Sequence, residues 1–354
     1  MVRSRGDIDG SGAGFRSMET EHVLGRAAST IYFCDDSSRA RKISRHDFTA
    51  EQKHAIREFH SLNPWWNLVI PFHYLIWLTC GWIACSSNIM TLRIFAFALA
   101  GLSLSTLSVL AHESSHNLIT RNPRVDRWVG FLCGLPVLFS SAGYRVMHPL
   151  HHKFLGSEGD PDNIENVSKN SVLLRIVYVA IFFAGVYLYL VSVPAAALRK
   201  GNKDQRKGII LELTLTALAV VTAILYIPVA ILLNGWIIPL LIAGQIANIR
   251  GIAEHGFTTH GNELNDTRTV TSNRFLSFMI CNINYHLEHH LYPGVPWYNL
   301  PRIHALLQHD FEEAGSSVYQ SYWSFLSDVG KALWSGVIPG SRLIPAHIRE
   351  QVCI

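Results

Sequence analysis

The stretch NINYHLEHHLYPGVP, residues 282–296, carries three histidines in the spacing HxxHH. Positions i, i+3 and i+4 of a helix share one face, so this spacing predicts that the rings of His286, His289 and His290 project together at a single point. Ordinary packing does not require such a cluster, whereas imidazole nitrogen is a good ligand for iron, copper and zinc. The stretch therefore predicts a metal site.

Two further clusters repeat the pattern. HPLHH places His148, His151 and His152 in the same spacing, and HESSH places His112 and His116 one helical turn apart. At this histidine content, chance supplies only about 0.05 copies of HxxHH per chain, so two copies indicate a function. Eight histidines also exceed the four ligands that zinc takes, which predicts two metal ions in one site.

The composition indicates an integral membrane protein. Of the 354 residues, 49% are hydrophobic and 16% are charged, and the mean hydropathy is +0.19. Soluble domains carry about 25% charged residues. The apolar residues form runs long enough to cross a bilayer as helices. The net charge of +4 is modest and its Lys and Arg are clustered, which indicates membrane topology and no nucleic-acid binding.

Cysteines and targeting signals exclude other classes. The six cysteines contain no CxxC pair, so we expect no disulfide framework, no cysteine-bound zinc and no iron–sulfur cluster. The first apolar run begins too late for a secretory signal peptide.

The chain is predicted to have three parts: a polar, largely disordered tail over 1–49, a membrane domain over 50–304, and a partly helical cytoplasmic tail over 305–354. The basic segment RARKISR, residues 39–45, places the amino terminus in the cytoplasm by the positive-inside tendency. Residues 48–62 are predicted to form a surface amphipathic helix, and the aromatic residues within 318–334 predict a segment on the membrane surface.

The first two apolar runs, 67–85 and 89–111, are predicted to cross the bilayer and return. His112 follows at once, so the first cluster lies at the cytoplasmic end of the second crossing. Residues 128–141 are apolar but short and interrupted by glycine and proline, as in an interfacial or re-entrant segment. This segment must not cross, because HESSH and HPLHH could not otherwise reach one site.

Three more apolar runs, 172–198, 209–233 and 236–247, separate HPLHH from HLEHH. Both clusters must lie on one side, so an even number of these runs crosses. We expect the first two to cross and the third, after a turn at Asn234 and Gly235, to lie along the cytoplasmic interface. In the alternative, run 172–198 dips into the membrane without crossing, which places the basic loop 199–207 inside, as the charge rule prefers. Either arrangement gives an all-α integral membrane protein with four transmembrane helices and a cytoplasmic cap.

HESSH, HPLHH followed by GDPD, and NYHLEHHLYPGVPWYNLP together resemble the membrane fatty acid desaturase superfamily, which includes acyl-lipid desaturases, acetylenases, hydroxylases and β-carotene ketolases. The resemblance covers roughly residues 64–304. It implies a di-iron site held by catalytic histidines at the eight cluster positions, His112, His116, His148, His151, His152, His286, His289 and His290. One further ligand is implied upstream of the third cluster, where His255 is preferred and His260 is the competitor.

The resemblance also implies the chemistry. O₂ is the co-substrate, and two hydrogens are removed from unactivated methylenes of a lipid-like acyl chain that reaches the enzyme from the bilayer. Hydroxylation or carotenoid-type ketolation at the same site is the alternative outcome. Electrons are expected from a separate ferredoxin- or cytochrome-type donor and its reductase, since the chain has no motif for either carrier. The first cluster departs from the pattern, because Glu113 stands where aspartate is frequent.

Two other classes compete with this interpretation. HESSH satisfies HExxH, the zinc metalloprotease motif, with Glu113 as general base, but this leaves HPLHH and HLEHH unexplained. A metal carrier predicts ionisable residues in mid-membrane, and only Glu212 and Arg175 come close to that position in the later runs.

Several residues have a plainer interpretation. Asp162 is expected to be a turn residue, while Asp160 is either a turn residue or a partner of a histidine N–H group. Trp128, Tyr144 and Trp297 could line a substrate channel, but interfacial anchoring is the preferred interpretation.

Overall fold

The computed structural model describes residues 43–168, 170–258 and 262–335. The predictions for the tail before residue 43, and for the end of the chain after residue 335, lie outside these ranges. Up to His255, the α-helices of the described residues are α1 (Ala50–Phe59), α2 (Val69–Ser86), α3 (Met90–Ser115), α4 (Pro123–Gly134), α5 (Ser141–Phe154), α6 (Ser171–Lys200), α7 (Lys203–Tyr226), α8 (Val229–Leu232) and α9 (Ile238–His255). They are followed by β1 (Thr269–Val270), α10 (Arg274–Met279), α11 (His286–Leu291), α12 (Leu300–Glu313), β2 (Val318–Tyr319) and α13 (Tyr322–Ser335).

Within the described residues, five helical stretches are long and apolar enough to cross a membrane: Pro64–Ser86, Met90–Ser115, Val172–Lys200, Lys203–Tyr226 and Val229–His255. Large apolar side chains such as Leu78, Phe95, Val191 and Leu225 are more than half exposed, which is the arrangement of helices whose outer faces meet lipid. The predicted class, an all-α multi-pass membrane protein, is confirmed.

The segment predicted at 128–141 is sharply bent. Pro123–Val137 and Ser141–Phe154 meet at 104°, with a 3₁₀ turn over Leu135–Val137 between them. Both α3 and α5 end at a histidine cluster. The bend between them allows these two ends to lie on the same side of the molecule.

The fifth apolar run is longer than predicted and traverses the molecule beside α3. Asn234 and Gly235 do not form a turn; they lie in a π-helical segment, Leu233–Ile237, that joins α8 to α9. Asn234 Oδ1 accepts a hydrogen bond of 2.7 Å from Arg93, in the first turn of α3. The same helix ends at His255, at the opposite end of α3. Its predicted place along the interface is therefore wrong.

Helix α6 instead stays near the histidine end throughout its length. Its Phe182 carbonyl accepts from Gln245, and Val186 donates to Asn248, both within about three turns of the end of α9. Further along, the Tyr189 hydroxyl donates to Asp162 in the loop after α5, at 3.1 Å. These contacts favour the second predicted arrangement, in which run 172–198 does not cross. The count of four crossings stays a prediction.

The remaining elements form a cap over the histidine end. Ile43 and Phe48 are 3% exposed and pack in one core with Leu287, Leu300 and other apolar residues of α11 and α12. Helix α1, which begins at a capping box of Thr49 and Gln52, packs against the same core through Ile56 and Phe59. The surface helix predicted at 48–62 is thus part of the cap. The described fold also extends past the predicted domain limits of 50 and 304.

Candidate metal centre

Four segments bring the predicted histidines together. His112 and His116 lie in the last turn and at the C-cap of α3, His148, His151 and His152 lie in the last two turns of α5, and His255 is the last residue of α9. His286, His289 and His290 belong to the short helix α11. All nine side chains approach one another at the junction between the helical bundle and the cap.

The ring nitrogens divide into two groups. The first group, in which the candidate ligand atoms all lie within 4.8 Å of one another, consists of His112, His116, His148, His152 and His289. The second group consists of His151, His255, His286 and His290, and is formed by two overlapping sets that share His255. Glu254 lies beside the second group. The rings of His152 and His290, one from each group, are stacked at 4.3 Å.

The expectation that each HxxHH box converges on a single point is therefore wrong. In α5, His148 and His152 belong to the first group and His151 to the second. In α11 the division is reversed, because His286 and His290 belong to the second group and His289 to the first. Positions i and i+4 differ by about 40° around a helix, whereas i+3 and i+4 differ by about 100°. That angle separates neighbouring histidines between two groups.

Three nitrogens meet within each group at a spacing that suits a metal ion. His148 Nε2 lies 2.9 Å from Nε2 of both His116 and His152. His286 Nε2 lies 2.8 Å from Nε2 of His255 and 3.1 Å from that of His290. One imidazole nitrogen has a single in-plane direction for either a proton or a lone pair, so it cannot hydrogen-bond well to two such neighbours. With metal–nitrogen bonds of about 2.1 Å, adjacent ligands of an octahedral ion lie about 3 Å apart.

Orphaned nitrogens support the same interpretation. Both ring nitrogens of His112 and of His289 are buried and have no hydrogen-bond partner among the residues that the structure describes. Buried polar atoms are normally paired, and binding of a metal ion is one recognised reason for an exception. The donor set consists of imidazoles, which fits iron, copper or zinc.

Burial keeps His116 and the three histidines of α11 neutral, as ligands must be. It lowers the pKa of His286, His289 and His290 well below the usual 6.5, and neighbouring histidines lower it further. Burial, assisted by the charge of Arg145, lowers the pKa of His116 to about 3. The lone pairs of these four rings are therefore available to a metal at neutral pH. At His151, burial is outweighed by the hydrogen bond to Asp160 and the neighbouring carboxylates, which raise its pKa.

Carboxylates lie behind several of the rings. Asp160 Oδ1 accepts from His151 Nδ1 at 2.8 Å, which settles its role as a ring partner. Asp162 lies in the following turn and accepts from Tyr189. Glu254 Oε2 is 3.7 Å from His286 Nδ1, and the other carboxylate oxygen, Oε1, accepts from Arg250 Nε at 2.7 Å. A carboxylate behind a ligating histidine fixes the ring orientation and raises the basicity of the ligand.

Sequence reasoning missed one buried set of partners. Glu288, inside HLEHH, is fully buried and accepts from His304 of α12 and from the hydroxyl of Thr269. This set fixes α11 from the side opposite the ligand atoms. The position of Glu288 between ligands was a usable signal, whereas nothing in the spacing marks His304.

Other predicted residues are placed as follows. His255 lies in the second group as preferred, and its competitor His260 lies outside the described residues. Tyr144 is buried and stacks on His148 at 4.3 Å, and Trp297 is 4% exposed, so interfacial anchoring is wrong for both. Trp128 is 53% exposed, as an anchor should be.

Comparison with known proteins identifies the family. A family model described as fatty acid desaturase matches residues 88–322. The chain belongs to the fatty acid desaturase family. The matched region contains all nine histidines and both groups that they form.

Individual relatives of this family member are distant but cover most of both chains. An sn-1 oleoyl-lipid 12-desaturase from Arthrospira platensis is 23% identical over 67% of this chain and 73% of its own length. A sphingolipid delta(4)-desaturase/C4-monooxygenase from Bos taurus is 24% identical over 77% of this chain and 84% of its own length. A sphingolipid delta(4)-desaturase from Komagataella phaffii is 28% identical over 56% of this chain and 57% of its own length. The chain is therefore a desaturase-like membrane oxidoreductase.

The competing classes lose their support at this point. Glu113, the general base of the metalloprotease alternative, accepts from the backbone N–H of Trp297 at 3.2 Å and is fully buried. The two histidines of HESSH share their group with three others. Glu212, a residue of the carrier alternative, accepts from the backbone N–H of Ala142 at the start of α5 and so links α7 to α5.

Proposed function

We propose that this chain is a di-iron, O₂-dependent desaturase of an acyl chain in a membrane lipid. The observation that carries the proposal is the meeting of three Nε2 atoms in each of two adjacent groups, at 2.8–3.1 Å, in a member of the desaturase family. The first group would hold one iron and the second group the other. Bound iron would supply the activation of O₂ and the oxidising power for removing hydrogen from an unactivated methylene.

The protein's own residues contribute three things to this reaction. Asp160 fixes the proton of His151 on Nδ1, so the Nε2 lone pair is directed at the second group. Burial of His112, His148 and His289 keeps bulk water away from the first group. Tyr144, stacked on His148, holds that ring in its orientation.

The overall reaction fixes what must be delivered. Conversion of –CH₂–CH₂– to –CH=CH– with O₂ yields two waters and consumes two further electrons and two protons. A separate ferredoxin- or cytochrome-type donor with its reductase would supply the electrons, because the sequence contains no haem- or cluster-binding motif.

We place the metal centre on the cytoplasmic side. Arg199 and Lys200 end α6 and Lys203 begins α7, and the hydrogen bond from Tyr189 of α6 to Asp162 favours a position of this basic junction on the side of the cap. The basic segment 39–45 includes the cap residue Ile43 and ends three residues before the cap residue Phe48. Both features agree with the positive-inside rule.

Hydroxylation is the second candidate outcome. It is favoured by the bovine relative, whose name includes a C4-monooxygenase activity. The same hydrogen abstraction followed by return of a hydroxyl group gives an alcohol, so the metal groups alone do not decide between the two products.

Expression with an electron donor and mass spectrometry of the host lipids tests the proposal. We expect lipids lighter by two hydrogens. A gain of one oxygen would indicate hydroxylation, and that gain with loss of two hydrogens would indicate ketolation. His152→Ala removes a first-group ligand and should abolish the product, whereas His309→Ala changes a histidine whose side chain is 81% exposed and should not. Purified wild-type protein that binds no iron would overturn the proposal.

A further inference from the structure

A short extended segment joins the two elements that carry most of the second group. The backbone N–H of Arg268 donates to the carbonyl of Glu254, at the end of α9, at 3.1 Å. Two residues later, the N–H of Val270 donates to the carbonyl of Asn284, just before α11, at 2.9 Å. The segment therefore links His255 on one side to His286 and His290 on the other.

The side chain of Arg268 strengthens the link at the α9 end. Its Nη1 donates to the carbonyls of Ala253 and Gly256 at 2.8 and 2.9 Å, and its Nη2 donates to that of Phe257 at 3.0 Å. These carbonyls flank His255 in the sequence. The last carbonyls of a helix have no partner within the helix, so the guanidinium fixes the backbone from which the His255 ring projects.

The carboxy-terminal segment holds Arg268 in place. Ser317 Oγ accepts from Arg268 Nε at 2.8 Å, and β2 pairs in parallel with β1 directly after it. The guanidinium carbon lies 4.9 Å from the centre of the Phe325 ring and 5.6 Å from that of Tyr319. Arg268 is 1% exposed, so its guanidinium is held in a buried position in which these residues and the carbonyls take part.

We propose that Arg268, held by residues 317–325, is a positioning residue that sets His255 against His286 and His290. The segment expected from the sequence to be a cytoplasmic tail is then required for the second metal and not for the first. This inference rests on the proposed metal centre. Four of the five ligands of the first group come from α3 and α5, whereas the carbonyls that Arg268 holds lie at the end of α9 and directly after it.

The donor geometry predicts that lysine cannot replace Arg268. A guanidinium offers five N–H donors in a planar fork, whereas an ammonium is a compact point charge with three donors. Arg268→Lys keeps the charge and loses the simultaneous hold on carbonyls on both sides of His255. Changing a residue that orients a metal ligand typically weakens metal binding by about 10–100-fold.

The test uses full-length protein, stripped of metal and titrated anaerobically with Fe²⁺ against a competing chelator. Wild-type protein should bind two Fe²⁺. Arg268→Lys should bind the first with unchanged affinity and the second about 10–100-fold more weakly, matching His255→Ala and not His116→Ala. Arg93→Lys is the matched control, because Arg93 anchors the opposite end of the same helical stretch through Asn234. It should bind both ions as the wild type does.

Retention of one Fe²⁺ shows that the Arg268→Lys variant is folded. Should it retain none, Ser317→Ala, which removes a single hydrogen bond, takes its place and must weaken the second ion selectively. Equal weakening of both ions in Ser317→Ala, or wild-type binding in either variant, overturns the inference while leaving the proposed function intact. Wild-type protein that binds no Fe²⁺ overturns both.

Discussion

Replacing Asp160 by asparagine should weaken one of the two metal sites and leave the other unchanged. Asp160 is 4% exposed, and its carboxylate accepts from His151 Nδ1 at 2.8 Å and from the backbone N–H groups of Gly156 and Asp162 at 2.9 Å. Asparagine keeps the shape, removes the charge and turns one acceptor oxygen into a donor. At least one of these three donors must then lose its partner: Gly156 if the amide nitrogen takes the Oδ2 position, or both His151 and Asp162 if it takes the Oδ1 position.

The expected magnitude follows from that loss. A hydrogen bond to a charged group contributes about 1.5–3 kcal/mol, and about 1.4 kcal/mol corresponds to a tenfold change in a binding constant. The metal bound by the second group should therefore dissociate about 10–100-fold more readily, in line with the effect of other residues that orient metal ligands. The first group contains no residue in contact with Asp160 and should keep its affinity.

Competitive Fe²⁺ titration of metal-free protein measures both constants in one experiment. Asp162→Asn is the matched control, since its carboxylate is 3.8 Å from His151 Nδ1 and receives a hydrogen bond from Tyr189 instead. We expect less than about a threefold change in this variant, because the interaction at that distance is weak. The reasoning is refuted if Asp160→Asn binds both ions normally, or if Asp162→Asn has the larger effect.

Three further predictions concern topology, packing and pH. In a cysteine-free background, Lys203→Cys should react with a membrane-impermeant maleimide from the same side of the membrane as Glu158→Cys. Asn88→Cys should react from the opposite side. Labelling of Lys203→Cys from the same side as Asn88→Cys would instead support the topology in which run 172–198 crosses. Gly101→Ala places a Cβ 2.5 Å from Ile242 Cγ2 and should destabilise the protein by about 1–3 kcal/mol. Gly208→Ala has open space around its Cβ and should be neutral or stabilising by up to about 1 kcal/mol. Thermal unfolding in detergent compares the two variants. Burial lowers the pKa of all three histidines of α11 below 6.5, so only the unfolded chain takes up these protons as the pH falls. The free energy of unfolding of the metal-free protein should therefore decrease by about 1.4 kcal/mol per histidine per pH unit below pH 6.5. An unfolding midpoint that is unchanged between pH 7 and 5.5 would contradict this.

The sequence was sufficient to predict that distant histidines meet, because helical spacing and apolar runs are local properties of the chain. HxxHH is visible without any knowledge of the fold, and the requirement that both boxes reach one side constrains the crossings. The family resemblance implied one further histidine ligand, with His255 preferred and His260 as its competitor. The bent segment between α4 and α5 was predictable for a similar reason, since glycine and proline interrupt it.

Long-range contacts of single side chains had no such signal. Arg268 and His304 lie in segments with no repeated spacing, and their partners are the carbonyls near His255 and the Glu288 carboxylate. Length and apolarity describe only what α6 can do in a bilayer. They do not show that Phe182 and Val186 lie beside the last turns of α9.

The division of each histidine box between two groups has a mechanical consequence. Helix α5 contributes two ligands to the first group and one to the second, and α11 contributes one to the first and two to the second. Two helices thus determine the separation of the two groups. On α5 it depends on the angle between His151 and His152, and on α11 on the angle between His289 and His290. A rotation of either helix about its axis would move ligands of both groups at once. The contacts that prevent such rotation, from Asp160 to His151 and from His304 and Thr269 to Glu288, lie on the faces away from the metal groups, where they resist rotation without occupying a ligand position.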